Sequence, residues 1–103
     1  MTVALPRRDA LRTALDASIA RLVARAAAER WPIRADHCFL RIVYDAAVGA
    51  KWDSVHARPG WRNLPEDRLA AAVDHAAAIE ADGAPRLERL NAASLGYRGK
   101  RHR

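Results

Sequence analysis

Apolar residues along this chain recur at three- and four-residue intervals, and no stretch alternates apolar with polar as a half-buried strand does. The first such run spans about Asp9 to Arg30, with Leu11, Leu15, Ile19, Leu22, Val23 and Ala26 on one side of a helical wheel. Pro6 precedes it and Pro32 stops it, because proline lacks an amide hydrogen and restricts the residue before it. At about 1.5 Å per residue this helix reaches roughly 33 Å. Its other side carries Thr13, Ala17, Ala20, Ala24, Ala27 and Ala28. Small residues there are either helix-favouring filler or a face that lets another helix approach closely.

The second run goes from Asp36, a good N-cap residue, to Val48, with Gly49 as its stop. Phe39, Leu40, Ile42, Val43, Ala46 and Ala47 cover most of its circumference, so it reads as the central helix. A narrow polar stripe remains: Arg34, His37, Arg41 and Asp45. The third helix opens on Pro65, Glu66 and Asp67, residues that suit a helix start, and ends at Gly83. Leu69, Ala72, Val73, Ala76 and Ile79 share its inner face. The fourth spans about Pro85 to Leu95, with Leu87, Leu90 and Ala93 inward and Gly96 as its stop. Residues 50–64 form a connector with a turn at Pro59-Gly60 and a short helical turn expected near Trp52 to His56. The pattern predicts an all-α fold: a compact bundle of about four helices, one domain over 1–96, and a basic flexible tail over 97–103.

Composition agrees with that picture. A chain of 103 residues, half of them apolar, can close one modest core without staples. Its lone Cys38 cannot form an internal disulfide and fits a reducing compartment, so a cytoplasmic protein is expected. No apolar run approaches the roughly 18 residues of a membrane span.

Charge adds the one hint of a partner class. The formal net charge is +6. Residues 1–34 hold seven cations and three acids, residues 35–97 seven cations and nine acids, and residues 98–103 four cations and no acid. A solvated basic run attracts polyanions, commonly nucleic acid. In the tail, Arg98, Lys100, Arg101 and Arg103 are the candidate phosphate contacts, with Tyr97 beside them. In the connector, Arg58, Arg62 and Trp61 extend the set, since a tryptophan plane beside cations suits stacking on exposed bases. Packing against a small core is the competing reading for Trp52 and Trp61, and a merely solubilising role is the competing reading for the tail.

His37, Arg41 and Asp45 lie four apart and stack along one helix face, where Arg41 is placed to pair with Asp45. A histidine, an arginine and an acid together suit an anion-holding or acid–base site. A solvated face or a structural polar network gives the same pattern. Cys38 points about 100° away from His37 and so does not pair with it as a nucleophile. No histidine or cysteine pair has metal-ligand spacing. The sequence also lacks a phosphate-cradling glycine loop, a dinucleotide fingerprint and a Ser/His/Asp signature, which argues against most cofactor enzymes.

Two stretches carry a resemblance. His-Cys-Phe-Leu-Arg-Ile at 37–42, followed by Asp45, Gly49 and Trp52, resembles small bacterial proteins of unknown function, as does Leu-Asn-Ala-Ala-Ser-Leu-Gly-Tyr-Arg-Gly-Lys at 90–100. Such proteins sometimes carry an N-acetyltransferase-related label. That activity requires a strand-rich fold and a glycine-bearing loop for the coenzyme's pyrophosphate, and the sequence offers neither. The resemblance implies that the 37–52 stripe and the 90–100 end belong to one design.

Three functions are therefore expected, in this order. The first is nucleic-acid association, DNA or RNA, through electrostatic contacts of low sequence selectivity. The second is a homodimer or protein partner held by Ala17, Ala20, Ala24 and Ala27. The third is a small-ligand or catalytic site at His37, Arg41 and Asp45. No cofactor or metal is implied by any of them.

Overall fold

Helix ends fall where backbone chemistry forces them. The computed structural model describes residues 7–100, which form α1 (Arg7–Glu29), α2 (Asp36–Val48), α3 (Trp52–Val55), α4 (Gly60–Asn63), α5 (Glu66–Asp82) and α6 (Ala84–Tyr97). α1 ends at Arg30, a left-handed residue with φ +57°, after which the Trp31 amide donates back to the Ala26 carbonyl. α2 ends at Gly49, whose φ of +74° suits glycine and whose amide donates to the Asp45 carbonyl.

The four long helices match the expected set, and the connector supplies two more, the single turns α3 and α4. α3 is pinned at its first residue, where the Trp52 amide donates to the Asp45 carboxylate. α4 is closed by the Leu64 amide bonding the Gly60 carbonyl. The end of the chain also differs from expectation. α6 does not stop at Gly96 but runs through Tyr97. Beyond it the Arg98 amide bonds the Ser94 and Leu95 carbonyls, and the Lys100 amide bonds Leu95 at 2.8 Å across a left-handed Gly99. Residues 97–100 are thus joined to the helix rather than free of it. Arg101 and Arg103 lie outside the described residues.

The core is made where α5 packs on both α1 and α2, with α6 closing over α2. Leu15, Ile19, Leu22 and Ala26 enter from α1, and Phe39, Ile42, Val43 and Ala47 from α2. Leu69, Ala72, Ala76 and Ile79 enter from α5, and Leu87 from α6. Ala72 and Ala76 are fully buried, and their small side chains let the helices around α5 come close. Burying a leucine, isoleucine or phenylalanine stabilises by about 1.5–3 kcal/mol, so these residues outweigh any surface ion pair.

α1 and α5 are also tied by polar bonds. Glu80 accepts from the Ser18 hydroxyl at 2.6 Å and from Arg21 at 2.5 Å, while Arg25 donates to the Glu80 carbonyl at 2.7 Å. The Arg21 hydrogen bond, with help from Ser18, holds the Glu80 carboxyl below its ordinary range despite partial burial. Among the described residues, no helix is long and apolar enough to cross a membrane.

Candidate functional site

Asp45 is the hub of the polar chemistry. It sits on α2 one turn before the Gly49 cap, and its side chain is 0% exposed. A buried carboxylate needs a counter-charge and a full set of donors. Arg98 supplies a two-pronged contact, Nε to Oδ2 at 2.8 Å and NH2 to Oδ1 at 2.9 Å. The Ser94 hydroxyl donates to Oδ2 at 2.6 Å and the Trp52 amide to Oδ1 at 3.0 Å. α2, α3 and the end of α6 therefore meet at one carboxylate.

The network continues outward on both sides. Arg98 also reaches Asp53 on α3, at 3.3 Å, and Asp53 accepts from Arg58 at 2.5 Å. The Arg58 hydrogen bond, reinforced by Arg98, holds the Asp53 carboxyl below its ordinary range against a partial desolvation. On the other side Arg41 donates to Ser94 Oγ at 2.6 Å and to Asn91 Oδ1 at 2.9 Å.

These bonds redistribute the expected stripe. Arg41 does not pair with Asp45, because the Ser94 hydroxyl stands between them, accepting from one and donating to the other. His37 lies apart from the network, 81% exposed, with Nδ1 3.6 Å from Asp36. Arg98 was expected to be a tail cation for phosphate, but it is only 14% exposed and is spoken for by two carboxylates. That pairing raises its already high pKa, chiefly through the Asp45 hydrogen bond. Asn91 and Ser94 were not expected at the site. Both continue the inward face that Leu87 begins, and a polar residue at a core-facing helical position is the signal that finds them.

A cavity of about 390 Å³ opens beside this network. Its walls are aromatic: Tyr44, Trp52 and Trp61, with Leu40, Pro59 and Gly60 between them. Besides the Tyr44 phenol its ionisable groups are His37, Arg41, Arg58 and Arg98, with no carboxylate among the lining residues. Two sets of residues that the sequence treats separately, the helix stripe and the basic-aromatic connector, thus line one space.

The walls are held in place by close contacts. The Tyr44 and Trp52 rings meet edge to face with centroids 5.0 Å apart. Gly60 lies against Tyr44 so closely that a Cβ there would be 2.7 Å from the ring. Burial, with Asp16 nearby, pushes the Tyr44 hydroxyl up to about 12, so it stays protonated. The Arg12 guanidinium lies 3.7 Å from the Trp61 ring centroid, and Arg62 lies 5.5 Å from it. Arg58 sits 5.6 Å from the Trp52 ring and remains 73% exposed. Arg62 and Lys100 are exposed.

Charge is not balanced around the cavity. Three guanidiniums, Arg41, Arg58 and Arg98, meet two carboxylates, Asp45 and Asp53. Arg41 is the one left over. Among the described residues it bonds only neutral oxygens, and its other N–H donors are uncommitted.

Elsewhere the surface offers less. A hollow of about 640 Å³ between α1 and α2 is edged by Asp16, Arg34 and Asp36, whose charges oppose one another. Ala17, Ala20, Ala24 and Ala27 are all exposed on α1. Cys38 is a half-buried free thiol. Among the described residues no group of three His, Cys, Asp or Glu side chains is arranged to hold a metal ion. No protein-family model matches the chain, and no curated protein or solved structure matches it.

Proposed function

We propose that this protein is a small binding module for an organic anion with a flat, apolar body. The anionic group is held by Arg41, and the body lies against Tyr44, Trp52 and Trp61. One observation carries this reading: Arg41 is a half-buried guanidinium at the wall of an aromatic cavity, with no carboxylate partner among the described residues. A guanidinium in that position presents a fork of N–H donors that matches a carboxylate or phosphate. The cavity volume also falls within the range of about 300–1,000 Å³ common to ligand sites. Arg98 and Asp45 act as the frame: their bonds fix Ser94, and Ser94 orients Arg41.

Phenyl phosphate and benzoate are suitable probes, with benzamide as the neutral control. Titration followed by the indole signals of Trp52 and Trp61 is expected to saturate for the two anions and not for benzamide. Arg41→Gln is expected to weaken phenyl phosphate binding at least about tenfold, the scale of one charge-assisted hydrogen-bonded contact. Anions that leave both indoles unmoved, or an Arg41→Gln protein that binds as well as the parent, would overturn the proposal.

A second reading, contact with another helix through α1, is supported by the exposure of Ala17, Ala20, Ala24 and Ala27. Sedimentation at micromolar concentration tests it: a dimer weakened by Ala20→Glu supports it, and a monomer at all concentrations removes the homodimer.

A further inference from the structure

We infer that the ligand of this cavity is a single-stranded nucleic acid, with one base among the aromatic side chains and the neighbouring phosphates on the cations outside. The inference rests on the anion-binding reading above and names its ligand.

The cations outside the cavity carry the argument. A small monoanion would be neutralised by Arg41, the guanidinium of the cavity lining that no described carboxylate pairs. The structure holds more positive charge than that along the same surface. Arg62 leans on Trp61, and Lys100 is exposed two residues beyond Arg98. Neither of these cations lines the cavity, although each lies within two residues of one that does. An extended polyanion with a flat group at each repeat meets both features: a base for the aromatic walls and a phosphate for each outer cation.

The geometry also selects single strands over duplex. A base in a duplex is stacked and paired, and its face is not available to an aromatic cavity. Among the described residues no helix carries a run of cations along one exposed face of the kind that enters a major groove, and α1, the longest, spends Arg12, Arg21 and Arg25 on ion pairs. Arg98 does not belong to the phosphate contacts, since Asp45 and Asp53 occupy it. The first described tail cation free to meet a strand is Lys100.

The test uses the full chain with fluorescein-labelled ten-nucleotide oligothymidylate, oligouridylate and a ten-base-pair duplex, across a salt series. Three phosphate contacts, from Arg41, Arg62 and Lys100, give a log–log salt slope of about −2 on a single strand. Both single strands are expected to bind at least about tenfold more tightly than the duplex and to displace phenyl phosphate from the cavity. A strand preference for the deoxy or ribo form identifies DNA or RNA as the source. Trp61→Ala is expected to weaken strand binding about five- to 150-fold, the range for loss of one stacked base. Lys100→Gln is expected to make the slope shallower by about 0.7 while leaving phenyl phosphate affinity unchanged.

If phenyl phosphate saturates the cavity and the strands bind without displacing it, the inference is wrong and the anion-binding reading stands. Equal affinity for duplex and single strand also overturns it, because the cavity is then not the contact. If neither phenyl phosphate nor any strand binds, the anion-binding reading fails and takes the inference with it.

Discussion

Arg98→Ala removes the counter-charge of a carboxylate that has no access to water, and it gives the sharpest test of the polar hub. In the parent, Asp45 accepts two bonds from Arg98, one from Ser94 and one from the Trp52 amide. The variant keeps the last two and loses both charged donors. Removing one partner of a buried pair costs about 3–5 kcal/mol, because the remaining charge stays desolvated. Arg98 retains 14% exposure, so water reaches its side of the pair and the lower figure applies. About 3 kcal/mol is a large share of the 5–15 kcal/mol that stabilises a typical domain. An unfolding entropy of about 2.1 cal/mol/K per residue over 103 residues converts it to a Tm drop of about 14 °C. Urea unfolding followed by circular dichroism measures the same quantity as a shift in midpoint at constant slope. Asp45→Asn combined with Arg98→Met removes both charges and keeps the side-chain oxygen that accepts from the Trp52 amide. That double variant is expected to recover at least about 1 kcal/mol relative to Arg98→Ala. If Arg98→Ala lies within about 0.5 kcal/mol of the parent, Arg98 behaves as an ordinary surface residue and the hub described here is wrong.

Further outcomes follow from the same contacts. Gly60→Ala places a Cβ against the Tyr44 ring and is expected to cost about 1–3 kcal/mol and to alter the near-ultraviolet circular dichroism of Tyr44 and Trp52, because the ring must move off the helical turn. Phe39→Ala empties a fully buried site on α2 and is expected to cost about 3–5 kcal/mol by urea unfolding. Asp53 and Glu80 both have native pKa values depressed by arginine, so they bind fewer protons folded than unfolded. Their contribution is fully present above the ordinary carboxylate range of about 4 and is lost as pH falls through the depressed native values. A urea midpoint that declines from about pH 7 to 5, where burial lowers the His75 pKa and the unfolded chain binds the extra proton, and falls further below about 4 is expected, with Arg58→Gln and Arg21→Gln each making the lower fall shallower.

Much of the fold is legible because its punctuation is local. Gly49 and Gly83 mark helix ends through positive φ, and Pro32 and Pro65 mark a stop and a start through a missing donor, so each boundary depends on one or two residues. The end of α6 is not legible by that rule. Two residues after Gly96 the Arg98 side chain finds Asp45, and that tertiary bond carries the helix past its local stop. The same reason hid the site. An i,i+4 spacing brings Arg41 and Asp45 together on paper, but Ser94 from a helix 49 residues away separates them and Arg98 from 53 residues away takes the acid. What joins the 37–52 stripe to the 90–100 end is packing of α6 on α2, and helical periodicity says which face turns inward without saying which helix it meets.

The distance along the chain between Asp45 and Arg98 has a consequence for biosynthesis. A ribosome delivers Asp45 long before Arg98, so every nascent chain passes through a stage in which α1, α2 and α5 can begin to pack while a core-facing acid has no counter-ion. Packing of α1, α2 and α5 ahead of α6 is thereby discouraged, and closing the core takes a further step that brings Arg98 to Asp45. Chains cut just before residue 98 would lack that step, and quality-control proteases would meet them as unfinished proteins rather than as shortened ones.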